Sequence, residues 1–353
     1  MKYRVGVLGA TGIVGQRMVS ILANHPWFNL EFVVASEKSA NRKYGEAVEW
    51  IIDKPLPHDI ADMRIIGLDI NHIIEYDPDI VFSALPSSIA RGIEIELAKK
   101  GIAVVSNASP MRMEPDIPLI NPEVNADHIE LIEVQRTRRK WDGFIVKVPN
   151  CTTAILTLAL KPLMDEFGLK KVVVSTMQAI SGAGLRGVPS MIILDNIIPY
   201  ISGEEEKVEN ESKKILGKLT GNQVDEARID VTASCHRVMV LEGHLEAVFT
   251  ETIVEPSVDE VKKTLREFKD NKIRSLNLPT APRNPIIVRE EADRPQPRLD
   301  RNEGNGMSIV VGRIRKDKAL KGVKFLVLGH NTIRGAAGTA ILIAELLTVK
   351  KLI

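Results

Sequence analysis

The sequence predicts an α/β protein of two domains, a doubly wound first domain and an α+β second domain. The chain has 353 residues, which is longer than one simple core usually holds. Its first half alternates apolar strands with helical segments, as in a parallel sheet covered by helices on both faces. Its second half has longer extended segments and fewer helices, which is typical of an α+β domain.

The composition indicates an ordinary soluble globular protein. Hydrophobic residues make up 44% of the chain and charged residues 26%, and the formal net charge is +1. Such a charge does not favour nucleic acid or an anionic membrane as a partner. The two cysteines give no disulfide framework, and we expect no signal peptide. The most apolar late segment, 336–347, is too short to span a bilayer. The two cysteines suit a reducing cytoplasm, so we expect a cytoplasmic protein.

The first strand, residues 3–8, runs into a glycine-rich turn that leads into a helix with an apolar stripe. In this order Gly9 allows the tight turn, Gly12 lets the backbone approach a pyrophosphate, and Gly15 lets helix and strand pack closely. The helix N-terminus adds N–H groups for the anion. The pattern predicts a Rossmann-like cofactor site, with close packing alone as the alternative. The predicted cofactor residues in this turn are Gly9, Thr11, Gly12, Ile13, Val14 and Gly15.

The second strand, residues 30–35, ends at Ser36, and Lys38 and Ser39 follow closely. An NAD site usually has a carboxylate here to bind the ribose hydroxyls, whereas hydroxyl groups and a cation suit a 2′-phosphate. We therefore predict NADP as the cofactor. Glu37 leaves NAD open, and a solvated, charged loop is the alternative to a binding site.

Two further strands, residues 79–84 and 102–106, end in short polar loops. Ligands of parallel sheets bind at the carboxyl ends of the strands, so these loops should line the cofactor cleft. The residues concerned are Leu85, Pro86, Ser87, Asn107 and Ser109. An ordered loop over 110–127 carries Arg112, and a helix near 128–140 ends in basic residues that we expect to be solvated.

Cys151 lies between an apolar strand and an apolar helix over 154–167. A thiol at a helix start faces unpaired backbone N–H groups and the positive end of the helix dipole, and both favour the thiolate. A thiolate there would be a nucleophile. The alternative is a buried, inert cysteine. The preceding Asn150 is a typical turn residue.

The segment after Cys151 predicts a strand over 170–180 that ends in Ser181 and Gly182, and a helix over 204–219. Glu204 and Lys207 share one face of that helix because they lie three residues apart. On the sequence alone, solvation of this polar face is the simpler interpretation.

Arg237 and His244 lie in an extended segment over 228–253. Strict alternation along a strand would place residues seven apart on opposite faces of the sheet. The break at Gly243 removes that objection but leaves the geometry open. The remaining predicted elements are a helix near 257–268, a loop over 279–306, and strands over 307–315 and 323–329.

The tail from Asn331 predicts a helix with an apolar stripe that returns to the first domain and helps to wall the cofactor site. We therefore divide the chain into a dinucleotide-binding domain, 1–150 with 334–353, and a catalytic and oligomerisation domain, 151–333.

Taken together, these motifs make the chain resemble the aspartate-β-semialdehyde dehydrogenases, most closely their archaeal and fungal branch. The resemblance runs over essentially the whole length. It is carried by the stretches GATGIVGQR, ASEKSA, FSALPS, SNASPMRM, VPNCTT, QAISGAG, EEEKVENESKKILG, CHRVMVLEGH and HNTIRGAAG. It implies a second domain like the C-terminal domain of glyceraldehyde-3-phosphate dehydrogenase.

The resemblance also implies a role for each matching residue. Cys151 would be the nucleophile, His244 the general acid and base, and Gln178 a residue that orients the substrate. Arg237 would bind the α-carboxylate and Glu204 the α-amino group, which reverses the solvation interpretation. Lys207, Arg112 and Asn150 would hold the departing phosphate. Asn331 and the glycines of RGAAG would lie near the nicotinamide, and Ser181 and Gly182 would also bind the cofactor.

The implied reaction is the NADPH-dependent reductive dephosphorylation of L-4-aspartyl phosphate to L-aspartate 4-semialdehyde, in the biosynthesis of lysine, threonine, methionine and isoleucine. Cys151 would displace phosphate to form a thioester, and hydride would reduce it to a thiohemiacetal. His244 would then take the hydroxyl proton. The resemblance further implies a homodimer or homotetramer.

Three alternatives differ in substrate or class. A malonyl-CoA reductase would use the same cysteine, histidine and NADPH, but its substrate has neither a leaving phosphate nor an α-amino group. An N-acetyl-glutamyl-phosphate reductase should differ around the cysteine. A non-catalytic NADP-binding sensor should have lost the nucleophile or the base. We predict no metal site, because the seven histidines show no ligand spacing.

Overall fold

The computed structural model describes residues 2–268 and 271–353. The first half contains a six-stranded parallel sheet with strand order β3-β2-β1-β4-β5-β6. Its strands are β1 Tyr3–Leu8, β2 Phe28–Val34, β3 Ile65–Ile66, β4 Ile80–Ser83, β5 Ala103–Ser106 and β6 Phe144–Lys147. This order confirms the predicted doubly wound sheet.

The helices of the first half are α1 Ile13–Leu22, α2 Tyr44–Ala47, α3 His58–Ala61, α4 Ile70–Glu75, α5 Ser87–Lys99, α6 Pro122–Asn125 and α7 Leu131–Arg139. A 3₁₀ helix, Ala126–Glu130, precedes α7, so the helix predicted near 128–140 starts later than expected. The basic end of α7 is not simply solvated. Arg139 donates to Asp116 and Glu114, which ties α7 to the loop that carries Arg112.

The second half is built on a mixed six-stranded sheet with order β10-β7-β11-β14-β13-β12. The pairs β10–β7 and β12–β13 are parallel, and the other neighbours are antiparallel. The strands are β7 Leu169–Gln178, β10 Asp230–Arg237, β11 His244–Thr252, β12 Ile286–Val288, β13 Ile309–Asp317 and β14 Gly322–Gly329. A short hairpin adds β8 Lys218–Thr220 and β9 Gln223–Asp225.

Helices cover one face of this second sheet. The helices of this half are α8 Cys151–Phe167, α9 Ser190–Ile193, α10 Glu204–Ile215, α11 Val258–Glu267, α12 Asn271–Ser275 and α13 Pro297–Asp300. Of these, α8, α10 and α11 cover the sheet, whereas Ile273 of α12 packs in the core of the first sheet. Two 3₁₀ helices occupy Ile180–Ala183 and Glu303–Gly306. The interpretation of 279–306 as a plain loop is therefore wrong, because β12 and α13 lie within it.

The strand register explains how distant residues reach one end of the second sheet. Arg237 pairs with Gln178 across β10 and β7, and His244 pairs with Gly329 across β11 and β14. Gln178, Arg237 and His244 all point to the helix-covered side and are buried. Gly243, with φ of 99°, resets the alternation after β10. Arg237 and His244 therefore lie on the same face of the sheet, which the sequence had left open.

The chain ends in a π-helical turn, Ile333–Ala337, and then α14, Gly338–Val349. Ten consecutive residues, 338–347, are buried, so the helix is covered on all sides rather than along the single predicted stripe. It packs in the hydrophobic core of the first sheet, which confirms its return to that sheet. Glu345 is accommodated there because His25 Nε2 lies 2.8 Å from its carboxylate and Thr280 N–H donates to it.

A buried polar row lies under the carboxyl ends of β4, β5 and β6. Glu94 of α5 accepts from Ser83 Oγ at 2.7 Å and Ser106 Oγ at 2.6 Å, and it pairs with Lys147. All four side chains are buried. Because a buried charge is tolerated when it is paired and hydrogen-bonded, this row joins the three strands whose following loops lead to the site. In the described ranges no helix is long and apolar enough to cross a membrane.

Candidate active site

Cys151 is the first residue of α8, and Asn150 caps that helix. The side-chain oxygen of Asn150 accepts from Thr152 N–H at 3.0 Å and Thr153 N–H at 3.2 Å. A cap of this kind satisfies N–H groups that no turn of the helix can reach. The helix therefore starts three residues earlier than predicted. Asn150 already binds two of the backbone N–H groups at the helix start that were expected to face the thiol.

His244 lies directly beside the cysteine sulfur. Its Nε2 is 3.3 Å from Cys151 Sγ, and its Nδ1 accepts a hydrogen bond from Ala179 N–H at 3.1 Å. A neutral ring whose Nδ1 accepts carries its proton on Nε2. In this tautomer Nε2–H donates toward the sulfur, so His244 is arranged first of all as a hydrogen-bond donor.

The electrostatics of the pair favour neutral groups. Burial raises the pKa of the Cys151 thiol to about 12, and the Glu204 carboxylate adds to the rise; Arg237 and Thr152 N–H lower it without offsetting burial. Burial, followed by the charge of Arg237, holds the pKa of His244 well below its ordinary value. The expectation of a resting thiolate is therefore wrong for this state, because desolvation outweighs the helix terminus.

Glu204 is the meeting point of three predicted site residues. One oxygen, Oε1, accepts from Gln178 Nε2 and from Asn150 Nδ2, both at 2.9 Å. The other oxygen lies 3.7 Å from Lys207 Nζ. Glu204 is only 7% exposed, so the solvated interpretation of this helix face is wrong for Glu204. Lys207 keeps a partly exposed side chain at the rim.

Arg237 and Gly182 lie close to His244. The guanidinium donates from Nη1 to the Ala179 carbonyl at 2.6 Å, and burial lowers the pKa of Arg237. Gly182 lies against both the Arg237 guanidinium and the His244 ring. The backbone around Ala179 thus orients His244 through its N–H and Arg237 through its carbonyl.

Arg112 reaches the same region through a residue that the sequence analysis missed. Its Nη1 donates to Glu211 Oε1 at 2.9 Å, and its Nη2 donates to the Asn107 carbonyl at 2.6 Å. The second oxygen of Glu211 accepts from Asn150 N–H at 2.6 Å. Glu211 lies seven residues after Glu204, on the same face of α10, and that helical spacing was the available signal.

The glycine-rich turn has the shape that a dinucleotide phosphate requires. Gly9 has φ of +76°, and a Cβ there would lie 2.6 Å from the Ala84 carbonyl oxygen. A Cβ on Gly15 would lie 2.2 Å from the Gly9 carbonyl oxygen. Gly12 caps α1 without any side-chain hydrogen bond, which leaves the first turn of the helix open to an anion. Thr11, Ile13 and Val14 lie in the same turn.

The structure also brings together other residues predicted to bind the cofactor. Ser87 Oγ and Ser109 Oγ are 3.0 Å apart, although they follow different strands. Asn331 donates to Ser181 Oγ at 2.8 Å and accepts from Gly243 N–H at 2.8 Å. At the end of β2 the side chains of Ser36 and Lys38 are exposed, Ser39 is half-buried, and Glu37 turns against Gly67. Leu85 is buried beside the turn.

The π-helical turn Ile333–Ala337 packs against Cys151. A Cβ on Gly335 would lie 2.6 Å from Cys151 Cβ and 2.9 Å from its Cα. Arg334, fully buried, anchors the turn by donating to both oxygens of Glu123 at 2.7 and 2.8 Å. A π turn inside a helix is uncommon and frequently marks a functional site. The close approach of backbone to the cysteine explains the glycine.

Two family models match the chain. A model described as the NAD binding domain of semialdehyde dehydrogenases matches residues 4–132, and one described as their dimerisation domain matches residues 160–334. The curated aspartate-semialdehyde dehydrogenase of Archaeoglobus fulgidus is 56% identical over 353 residues and covers 100% of both chains. That of Saccharomyces cerevisiae is 45% identical over 362 residues, covering 99% of this chain and 98% of its own.

A malonyl CoA reductase (NADP) of Metallosphaera sedula is more distant, at 38% identity over 351 residues, covering 98% of this chain and 97% of its own. Among solved structures, the aspartate semialdehyde dehydrogenase of Candida albicans with NADP superposes with a TM-score of 0.90 and 42% identity. It covers 99% of this chain and 100% of its own.

Proposed function

The chain belongs to the aspartate-semialdehyde dehydrogenase family, and on that premise we propose that it catalyses the NADPH-dependent reductive dephosphorylation of L-4-aspartyl phosphate to L-aspartate 4-semialdehyde. The observation that carries this proposal is the contact of 3.3 Å between Cys151 Sγ and His244 Nε2. Acyl transfer needs a nucleophile with a donor beside the charge that develops on the acyl oxygen. This pair supplies both.

In the acylation step, Cys151 Sγ forms a bond to the C4 carbonyl carbon and the bond from that carbon to the phosphate oxygen breaks. Since Nε2 of His244 already carries a proton, the thiol proton leaves on the departing hydrogen phosphate. Nε2–H instead donates to the oxyanion, which is worth several kcal/mol in a water-poor site, about 2.7–4 for a comparable donor. In this step His244 therefore acts as a hydrogen-bond donor and takes up no proton.

Arg112, Lys207 and Asn150 are the groups we assign to the phosphate. Arg112 is already tied to Asn150 through Glu211, and Lys207 lies at the exposed rim of α10. A guanidinium together with an ammonium suits a dianion, because charge-assisted hydrogen bonds are roughly twice as strong as neutral ones. These contacts would strengthen as charge moves onto the leaving oxygen.

We assign Arg237 to the substrate α-carboxylate and Glu204 to its α-amino group. The guanidinium has a planar fork that matches a carboxylate. The Glu204 carboxylate is held by Gln178 and Asn150, so its orientation is set before the substrate arrives. Two fixed charges of opposite sign would orient an α-amino acid and leave its C4 carbon at the sulfur.

The residues of the glycine-rich turn and of the β2 end fit NADP. Open helix N–H groups suit the pyrophosphate, and Ser36, Lys38 and Ser39 suit a 2′-phosphate. When bound, the nicotinamide supplies the hydride that reduces the Cys151 thioester. We assign Asn331 and Ser181, which are hydrogen-bonded to each other, to holding the nicotinamide in place. Nε2–H of His244 then faces the thiolate as the aldehyde leaves, and one proton from solvent restores the thiol.

We further propose that residues 1–150 with 334–353 form the dinucleotide-binding domain, and residues 151–333 the catalytic and oligomerisation domain. The separate hydrophobic clusters support this division, since two of them pack on the first sheet and one packs on the second. The outer face of the second sheet supports a homodimer or homotetramer. Val173 on β7 is 37% exposed, and Met239 and Leu241 in the loop between β10 and β11 are 55% and 69% exposed. Exposed apolar patches mark interaction surfaces. A cytoplasmic location remains a prediction.

The proposed function is tested in the reverse direction, with L-aspartate 4-semialdehyde, NADP and inorganic phosphate, by following NADPH absorbance. A parallel assay uses malonate semialdehyde, NADP and coenzyme A. We expect reduction of NADP that depends on phosphate in the first assay. Turnover restricted to the second assay would identify a malonyl-CoA reductase instead.

A further inference from the structure

One face of α10 carries four charged residues, of which three are buried and the fourth, Lys207, is partly exposed at the rim. Glu204, Lys207, Glu211 and Lys214 are separated by three, four and three residues, which places them along one side of the helix. Glu204, Glu211 and Lys214 are 7%, 2% and 3% exposed. The first three belong to the proposed substrate site or contact it directly, and Lys214 has no role in the reaction described above.

Lys214 binds the loop that carries Arg112. Its ammonium donates to the carbonyl oxygens of Arg112 at 2.7 Å, Glu114 at 2.7 Å and Ile117 at 2.9 Å. A lysine ammonium has three N–H donors, so each donor has one backbone partner. Three carbonyls from six consecutive residues therefore converge on one side chain, which fixes the path of the loop against α10.

The Arg112 guanidinium is placed by the same helix. Glu211, one turn before Lys214, accepts from Arg112 Nη1, while Lys214 holds the Arg112 carbonyl. Backbone and side chain of Arg112 are thus fixed separately by two neighbouring residues of α10. The far side of the loop is held by Arg139, which donates to Asp116 and Glu114, so loss of Lys214 would displace the loop without unfolding it.

We propose that Lys214 is a positioning residue of the phosphate site, which sets the affinity for phosphate by holding the Arg112 loop against α10. The inference rests on the proposed function, because it takes Arg112 as a phosphate ligand. Lys214 would not touch the substrate. It would act through the position of Arg112, for which a displacement of about 1 Å is enough to lower rates by a large factor.

The protonation state of Lys214 makes this role dependent on pH. Burial lowers the pKa of Lys214 to about 8, although Asp116, Glu211, Glu226 and Glu114 around it act in the opposite direction; His128 also faces it from the 3₁₀ helix before α7. The neutral amine has two N–H donors for three carbonyls. The loop therefore loses one hydrogen bond as the pH rises above about 8.

The test compares Lys214→Met with Lys213→Met, its half-buried neighbour on α10. Methionine keeps the length of the lysine stem and removes all donors. Initial rates are measured with L-aspartate 4-semialdehyde and NADP while inorganic phosphate is varied. We expect Lys214→Met to raise KM for phosphate about tenfold and to change kcat and KM for the semialdehyde by less than about threefold. Lys213→Met should match the wild type.

The pH profile separates positioning from a general loss of structure. The ratio of KM for phosphate between Lys214→Met and wild type should be largest near pH 7 and should shrink by pH 9.5, as the wild type loses its own ammonium. If Lys214→Met does not fold, Lys214→Gln, which keeps two N–H donors, should show a smaller increase in the same assay.

An unchanged KM for phosphate in a folded Lys214 variant would overturn the inference, even if the variant were less thermostable. A ratio that does not vary with pH would also contradict it. Failure of the wild-type enzyme to oxidise the semialdehyde with phosphate is a different result, because it would overturn the proposed function and the inference together.

Discussion

The Nε2 atom of His244 lies 3.3 Å from Sγ of Cys151, so the first residue of α8 and the first residue of β11 meet across 93 positions of sequence. The contact forms because α8 packs on the helix-covered face of the second sheet, at the edge where β11 begins. Burial raises the pKa of the Cys151 thiol and lowers that of His244, so the environment of the pair favours the neutral forms.

Replacement of the two cysteines should separate the nucleophile from a structural thiol. Cys151→Ser should lower kcat by at least about a thousandfold, because a hydroxyl in the same place is a much weaker nucleophile. Cys235 is buried within β10, and burial raises the pKa of its thiol to about 12, so Cys235→Ser should keep most of the activity. Steady-state kinetics of both variants check this; loss of activity only in Cys235→Ser would reverse the assignment.

Arg237→Lys should raise KM for the semialdehyde about tenfold, because the compact charge of a lysine cannot reproduce a bidentate fork. The loss of the hydrogen bond to the Ala179 carbonyl would also loosen the backbone that orients His244. Arg228→Lys, at an exposed position, is the matched control and should be silent. Equal KM values for the Arg237 variant and the wild type would move carboxylate recognition to another residue.

Gly335→Ala should damage the site although the change adds one methyl group. That carbon would lie 2.6 Å from Cys151 Cβ, and overpacking of this kind costs about 1–3 kcal/mol. We expect a lower melting temperature and a lower kcat. Gly92→Ala in α5, where a Cβ would meet nothing within 4 Å, should instead stabilise by up to about 1 kcal/mol. Normal activity of Gly335→Ala would show that the turn does not constrain the cysteine.

Glu242 should make stability depend on pH in the acid range. Its carboxylate accepts from Arg17 at 2.7 Å and Thr332 at 2.8 Å and lies 3.3 Å from His330 Nε2. Although burial alone would raise the pKa of Glu242, His330, Arg17 and Thr332 lower it to about 2. The folded pKa is thus below the ordinary value of 4.5, so the stabilisation is complete above about pH 4.5 and is lost as the pH falls towards 2.

Chemical denaturation of wild type and Glu242→Gln at several pH values measures this effect. The difference in free energy of unfolding should be about 3 kcal/mol at pH 7 and should disappear near pH 2. Glu166→Gln, at an exposed position in α8, should show little difference throughout. A constant difference for Glu242→Gln across this range would mean that the contacts to Arg17 and His330 do not stabilise the charged form.

Much of the fold could be predicted because its signals are local. The strand at 3–8 is found at the predicted residues, since an apolar run followed by a glycine turn has few other structures open to it. The short elements between Tyr44 and Glu75 could not be predicted. Helices of four to six residues carry too little periodicity, and they are stabilised by packing against the sheet.

The chemistry of the site was less accessible from the sequence. The burial of Glu204 depends on which face of α10 meets the sheet, and helix periodicity alone does not decide that. The neutral state of Cys151 depends on desolvation by residues far along the chain, which outweighs the local helix start. The role of Lys214 could not be predicted from the sequence either, because its three partners are backbone carbonyls of a distant loop.

Trapping the acyl-enzyme would test directly whether Cys151 is the covalent nucleophile. The enzyme is mixed with L-4-aspartyl phosphate without NADPH, and released phosphate and intact mass are measured together. We expect a burst of about one phosphate per subunit and the added mass of one aspartyl group, located on Cys151 and absent from Cys151→Ser. Phosphate release without this adduct, or an adduct that persists in Cys151→Ser, would contradict it.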